Sequence, residues 1–330
     1  MPANLPPQYL KAEDDLRRAS SATDRLEGLR ELFRLLPKHK GTEKLQCDLK
    51  TRISRTRDEI EGGRAGGKKA GVSYKIPSEG AGQVALVGPA NSGKSALLAA
   101  LTNAKVEVAP YPFTTRTPQP GMATWEDVRW QLVDLPPVSA DFLEPWMPGL
   151  VASADAALFV VDLGDDDLID SAEVALARLS AAHVELVGEL PVDSGEEALR
   201  HVRAAVVANK SDAEGAADRL EILREWAGAR FPIVGVSATS GAQLDILRST
   251  AYDLLGVMRV YTKIPGKPAD RSHPFTVPIG STVLDLARAV HGDFEQSLKF
   301  AKVWGSGAFE NQTVRRDHEL RDLDVVELHV

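Results

Sequence analysis

Residues 84–101 restrict this chain more than any other stretch. The apolar run Val84-Ala-Leu-Val87 leads into Gly88-Pro-Ala-Asn-Ser-Gly-Lys94-Ser95, and Ala96-Leu-Leu-Ala-Ala-Leu101 follows. Strand, glycine-bounded loop and helix start, in that order, are the context in which GxxxxGK[ST] cradles a phosphate. The two glycines let the backbone wrap close to an anion, where a side chain would block it. Loop amides and the helix N-terminus add partial positive charge. Lys94 is then the group that reaches the β- and γ-phosphates, and the Ser95 hydroxyl is a ligand for Mg²⁺. Gly88, Asn91, Ser92, Gly93, Lys94 and Ser95 form the first candidate binding set.

From about Gln83 onward, short apolar runs alternate with helical patterns, the signature of an α/β domain with a mostly parallel sheet. The strand candidates are Val84–Val87, Arg129–Val133, Ala156–Val161, Ala204–Ala208 and Ile233–Val236. Pro120–Trp125 and Arg129–Val133 flank Glu126-Asp127 as a hairpin, which adds one antiparallel edge strand. Helices are expected after the phosphate loop and over Ala172–Ala182, Ala217–Ala227 and Ala242–Leu255. The long gap between Asp134 and Asn209 leaves room for an insertion, with His183–Val187 as an extra strand and Asp193–Glu197 as a surface loop.

Further candidate residues stand where these strands end, the edge at which open α/β sheets bind ligands. Asp134 closes one strand and can hold Mg²⁺, usually through a water. Asn209-Lys210-Ser211-Asp212 closes another. The Asp212 carboxylate can accept from both the N1–H and the 2-amino group of guanine, donors that adenine does not present. The methylene stem of Lys210 can lie along the base plane. Ser237-Ala238-Thr239 follows the last strand, and the backbone amide near Ala238 is placed to donate to guanine O6.

With these residues assembled, the chain resembles a Ras-like P-loop GTPase of the Obg superfamily and is most similar to the developmentally regulated GTP-binding (DRG) group. Tyr111-Pro-Phe-Thr-Thr115 matches that superfamily's switch I string, which is more distinctive than the phosphate loop. The resemblance implies that Thr115 meets Mg²⁺ and the γ-phosphate. Residues 257–330 resemble the family's C-terminal TGS domain, a small β-grasp module, through Arg259–Lys263, Ile279–Leu286, Val303–Ser306 and Asp317–Leu320. The implied organisation is a basic helical region over 1–61, a Gly/Lys-rich linker over 62–80, a G domain over 81–256 and a TGS domain over 257–330. The implied ligands are GTP, GDP and Mg²⁺.

Two positions depart from the family pattern. Switch II reads Asp134-Leu-Pro-Pro137-Val138, so the Gly whose amide meets the γ-phosphate in Ras-like proteins is Pro137, which has no N–H. Val138 stands where the Ras pattern has a water-positioning Gln. Slow hydrolysis is the consequence expected. Asn91 sits where several potassium-activated GTPases carry Asn; it is either a K⁺ ligand or a residue that hydrogen-bonds within the loop. The catalytic candidates are therefore Lys94, Thr115 and Asn91, and the metal candidates are Ser95, Thr115 and Asp134.

Charge is uneven along the chain. Residues 1–79 carry 17 Lys and Arg against 12 Asp and Glu, whereas the remainder carries 22 against 35. The basic part reads as a helical hairpin, with Leu26, Leu29, Leu32, Phe33 and Leu36 on one helix and Leu45, Leu49 and Ile53 on the next. Gly62–Gly71 is a flexible basic tether. A polyanionic partner and a solvated, ion-paired face both fit this pattern. A lone Cys47, no signal-peptide pattern at the start and no apolar run long enough to span a bilayer make a cytoplasmic protein the expectation. The seven histidines show no paired ligand spacing. Tyr261, Trp304 and Phe309 raise a base-stacking platform, but core packing is the expectation for Trp304. Three function classes remain: a slow GTPase switch on ribosomes or RNA through the basic helices and the TGS module, a GTPase with only protein partners, and a nearly inactive GTP-binding scaffold. The oligomeric state is not legible.

Overall fold

The computed structural model describes residues 16, 22–35, 49, 74, 76–102, 117–191, 199–305 and 308–330. It holds two compact units, Met1–Val72 and Ser73–Val330. In the first, helix α1 (Ala22–Leu35) buries Leu29 and Leu32 together with Leu49, with Leu16 and Phe33 against them. Leu49 belongs to the second predicted apolar set; Leu36, Leu45 and Ile53 of the two sets lie outside the described residues. The basic turn Pro37–Thr42 and the tether Gly62–Gly71 lie outside the described residues.

The second unit opens with strand β1 (Gln83–Val87), helix α2 (Lys94–Leu101), and the hairpin β2 (Gln119–Trp125) and β3 (Val128–Asp134). Helix α3 (Met147–Ser153), β4 (Ala156–Asp162), α4 (Leu168–Ala181), β5 (Val184–Val187) and β6 (Arg200–Asn209) follow. Helix α5 (Ala216–Ala227), β7 (Ile233–Gly235) and α6 (Leu244–Leu255) complete this part. The sheet order is β2-β3-β1-β4-β6-β5, with β7 also paired to β6; every pairing is parallel except β2 with β3. Period-two alternation divides each strand between two layers. Val84 and Leu86 pack with Leu97, Leu98 and Leu101 of α2 and Leu247 of α6, while Ala85 and Val87 pack with Leu150 and Val151 of α3, Leu179 of α4 and Leu223 of α5.

The extra strand expected at 183–187 is β5. It pairs Val184 with Arg200, which is why β6 starts four residues before the expected Ala204. Helix α4 likewise starts at Leu168 rather than Ala172, because buried Leu168 already belongs to the core. Helix α3 carries no strong periodic signal and was not expected; buried Leu150 and Val151 hold it on the sheet.

A second sheet contains β8 (Val257–Thr262), β9 (Phe275–Pro278), β10 (Phe300–Gly305), β11 (Ala308–Val314) and β12 (Asp324–His329) in the order β11-β10-β12-β8-β9. Helix α7 (Val283–Val290) covers one face through Val283, Leu286 and Ala287, and the short α8 (Gly292–Ser297) follows it. A capping box starts α7, with Asp285 accepting from the Thr282 N–H at 2.9 Å. Trp304 corrects an expectation. It lies outside this core, half-buried, with the Lys263 ammonium 4.2 Å from its ring centroid. The parity of β10 explains this: Ala301 and Val303 face the helix, so Trp304 faces away.

The two sheets meet at a polar seam. Arg259 of β8 donates to Asp322 through Nη2 at 2.8 Å and through Nε at 3.2 Å, and it pairs with Glu126 and Asp127 at the β2–β3 tip. The Tyr261 hydroxyl donates to Asp127 at 2.5 Å.

Candidate nucleotide-binding site

Because β1, β3, β4 and β6 are parallel, their carboxyl ends and the loops that follow share one edge of the first sheet. The phosphate-loop string runs from the end of β1 into the first turn of α2. Gly88 has φ 152°, and a Cβ there would sit 2.2 Å from the Val160 carbonyl oxygen. Gly93 has φ 90°, and its Cβ would meet the Asn209 amide nitrogen at 2.1 Å. Only glycine fits either position. Asn91 is exposed at the loop tip with φ 59°, a left-handed conformation that Asn tolerates better than most residues.

Lys94 is folded into this loop. Its ammonium donates to the carbonyls of Pro89 and Gly88 at 2.6 and 3.0 Å and to the Ser92 hydroxyl at 3.4 Å. Burial pulls its pKa down from 10.5 to about 8, with the Asp134 carboxylate pulling the other way. The adjacent Ser95 hydroxyl donates to Asp134 at 2.5 Å, and Asp134 is fully buried at the end of β3. A hydroxyl and a carboxylate held side by side are an all-oxygen donor set suited to Mg²⁺.

Asn209 ties the two ends of the site together. Its side-chain amide donates to the Ser92 carbonyl at 2.9 Å, and its carbonyl oxygen accepts from the Ala238 N–H at 3.1 Å. The Ala238 amide, expected to face a base, is thus engaged by Asn209. Lys210, at φ 61°, reaches Asp162 with its ammonium at 2.5 Å. The exposed Asp212 carboxyl is held below the usual carboxylate range, chiefly by the Ser237 hydroxyl. Ser237 is itself buried and accepts from the Ser240 N–H at 3.0 Å. The structure therefore brings together Gly88, Ser92, Gly93, Lys94, Ser95, Asp134, Asn209, Lys210, Asp212, Ser237 and Ala238, with Asn91 at the rim. Thr115, with the whole string Tyr111–Thr115, lies outside the described residues.

Pro136 and Pro137 are buried, and the first amide after them, that of Val138, donates to the Gly88 carbonyl at 3.1 Å. Asp162 was missed from sequence. It ends β4 in register with Asn209, so the strand-end rule that singled out Asp134 also reached it. Its string, Asp162-Leu-Gly-Asp-Asp-Asp167, resembles any acidic loop.

Fold and site together define a P-loop GTPase domain followed by a β-grasp module. Two families match the chain: one described as a 50S ribosome-binding GTPase over residues 83–188, and the TGS domain over 258–330. An uncharacterized GTP-binding protein of Methanocaldococcus jannaschii is 26% identical over 98% of this chain and 94% of its own length. Developmentally-regulated G-protein 1 of Arabidopsis thaliana is 26% identical, covering 88% and 87%. Developmentally-regulated GTP-binding protein 1 of Xenopus laevis is 26% identical, covering 85% and 91%. Among solved structures, the YchF GTPase of Schizosaccharomyces pombe shares the fold, with a TM-score of 0.54, 13% identity and coverage of 78% of this chain and 100% of that one. The chain thus carries a GTPase-family match in its first sheet domain and a C-terminal TGS domain, and it is similar to GTP-binding proteins of the developmentally regulated group. No helix among its described residues is long and apolar enough to cross a membrane.

Proposed function

We propose that this protein binds GTP and GDP at the β1–α2 loop and slowly hydrolyses GTP to GDP and phosphate, acting as a regulatory switch on ribosomes or another RNA assembly. The observation that carries the reading is Asn209, whose one side chain joins the phosphate loop at Ser92 to the base loop at Ala238. In this reading Lys94 meets the β- and γ-phosphates, Lys210 lies along the guanine and Asp212 accepts from its N1–H and amino group. Ser95, Asp134 and Thr115 would hold Mg²⁺, which when bound neutralises charge on the phosphate oxygens.

In hydrolysis a water oxygen attacks the γ-phosphorus as the bond to the β–γ bridging oxygen breaks, and the water's proton leaves with the phosphate. Lys94 stabilises charge gathering on the bridging oxygen. Val138 is buried and apolar and offers the attacking water no acceptor, which supports a slow intrinsic rate. Asn91 is the residue proposed to help hold a K⁺ beside the phosphates, as an exposed amide at the loop tip. A second reading, a nearly inactive scaffold, is favoured by one contact: the Val138 amide is already bonded to the phosphate loop, and Pro137 has none to offer.

The base reading is tested by titrating guanosine, adenosine and xanthosine nucleotides. GTP should bind far more tightly than ATP, and Asp212→Asn should swing preference toward xanthosine nucleotides by roughly tenfold or more. ATP binding equal to GTP would remove the assignment. The ribosome reading is supported by the basic helices, the TGS domain and the description of the matched GTPase family. Its test is ribosome cosedimentation across a salt series, where loss of residues 1–79 should flatten the log–log slope by roughly 0.7–0.9 per phosphate contact removed. Turnover in KCl against NaCl, in wild type and Asn91→Ala, tests the potassium reading.

A further inference from the structure

Lys210 is a long, half-exposed side chain of the base loop, and the structure shows what restrains it. Its backbone sits at φ 61°, which few non-glycine residues adopt. Two backbone bonds hold that turn, from the Ser211 N–H to the Val236 carbonyl at 2.9 Å and from the Ala213 N–H to the Lys210 carbonyl at 2.9 Å. The side chain is then drawn in by Asp162, whose Oδ2 lies 2.5 Å from the ammonium.

Asp162 is itself fixed. It ends β4 opposite Asn209, its Oδ1 accepts from the Gly164 N–H at 2.7 Å, and the next residue, Leu163, donates from its N–H to the Asn209 carbonyl at 2.9 Å. Its side chain is 16% exposed and that of Lys210 41%, so one carboxylate oxygen orients the group while the other holds the half-exposed lysine from a largely buried position. Nothing else in the catalytic or binding scheme uses Asp162.

We propose that Asp162 is a positioning residue for guanine-nucleotide binding, holding the Lys210 side chain extended so that its methylene stem forms a ready-made face for the base. A lysine gives up much rotamer freedom when its stem is pressed against a ring, and a partner that immobilises it beforehand lowers that cost. The contact acts on the base and not on the phosphates, so it strengthens GTP and GDP binding alike.

This inference rests on the guanine reading of Asn209–Asp212, and the experiment separates the two. Dissociation constants for GDP and a non-hydrolysable GTP analogue are measured for wild type, Asp162→Asn, Lys210→Ala and the double variant. Asp162→Asn keeps the shape and an acceptor for Gly164 but removes the charge that holds the ammonium. It should weaken both nucleotides by the same factor, about three- to tenfold. In the Lys210→Ala background the same change should have no further effect on either nucleotide. Full affinity in Asp162→Asn overturns the proposal, as does an equal loss that persists without Lys210, which is what a general role in the β4–α4 loop would give. Asp162→Glu, which keeps the charge, should stay closer to wild type than Asp162→Asn; a Glu variant as weak as the Asn variant also overturns it. If Asp212→Asn fails to favour xanthosine nucleotides, the base reading fails, and with it the reason for Asp162. An intact xanthosine switch beside an unaffected Asp162→Asn removes Asp162 alone.

Discussion

At the phosphate loop one ammonium, Lys94, is buried among two carbonyls and a hydroxyl. At the seam between the sheets one guanidinium, Arg259, is surrounded by the carboxylates of Glu126, Asp127 and Asp322. Both cations are largely buried, and their proton affinities move in opposite directions. Lys94 is pulled down to about 8 by burial, while Arg259 is pushed up, first by its hydrogen bond to Asp322. Neutral dipoles satisfy the lysine's hydrogen bonds and Asp134 acts on it only through space, so much of its charge is left for an arriving polyanion. Carboxylates cancel the arginine's charge and leave a ligand nothing to gain. The first arrangement is ready to bind, the second to hold. Strand β3 connects them, running from Val128 beside the seam tip to Asp134 in the site, roughly 20 Å of extended chain.

The largest expected effect breaks the binding side alone. Lys94→Met should weaken GTP and GDP by about 100-fold, the loss of charge-assisted hydrogen bonds to phosphate, measured by calorimetric titration. Its thermal midpoint without nucleotide should not fall at neutral pH, because the variant no longer buries an ammonium. A marked drop in that midpoint would show that Lys94 holds the fold together as well.

Next comes the holding side. Arg259→Met should cost about 1–3 kcal/mol in urea unfolding, below the cost of breaking a fully buried pair because Glu126 and Asp322 are 54% and 44% exposed. GDP affinity should stay within about twofold of wild type, since nearby unpaired carboxylates act weakly across that distance in water. A larger change in affinity would sharpen the comparison, because β3 would then be transmitting between the two regions.

The pH profile follows in size. In the free protein Lys94 has its pKa lowered to about 8, so its burial penalty is present in full below that pH and is relieved as pH rises toward 10.5. Nucleotide phosphates favour the ammonium. Affinity should therefore be level below about pH 8 and fall by up to about tenfold per unit above it, with a proton taken up on binding at pH 9. Titrations in buffers of different ionisation enthalpy read that proton. No uptake at pH 9 would place the lysine's charge outside the binding step.

The smallest effect concerns Pro137, beside the phosphate loop. Pro137→Gly should restore an amide beside the phosphate loop and raise preference for GTP over GDP by roughly three- to tenfold. A fall in that preference would mean that Val138, through its bond to Gly88, had been the sensor.

The phosphate loop was legible from sequence because its logic is local. Val84–Val87, the glycines at 88 and 93, and Lys94-Ser95 are contiguous, and each demand for strand, close approach or helix start is met by an adjacent residue. Asn209–Asp212 and Ser237-Ala238 were legible as strand-end strings, since a parallel sheet sends all such ends to one edge. Tertiary structure alone decided which of these side chains touch. It gave the Ala238 amide to Asn209, the Val138 amide to Gly88 and Asp162 to Lys210, choices set by strand register and not by neighbours in the chain. It also turned Trp304 away from the core and joined Arg259 to acidic residues 63 and 133 positions away. An isolated arginine or aspartate has many possible partners in a chain with 47 acidic and 39 basic residues, and only the packing of one sheet against the other selects among them.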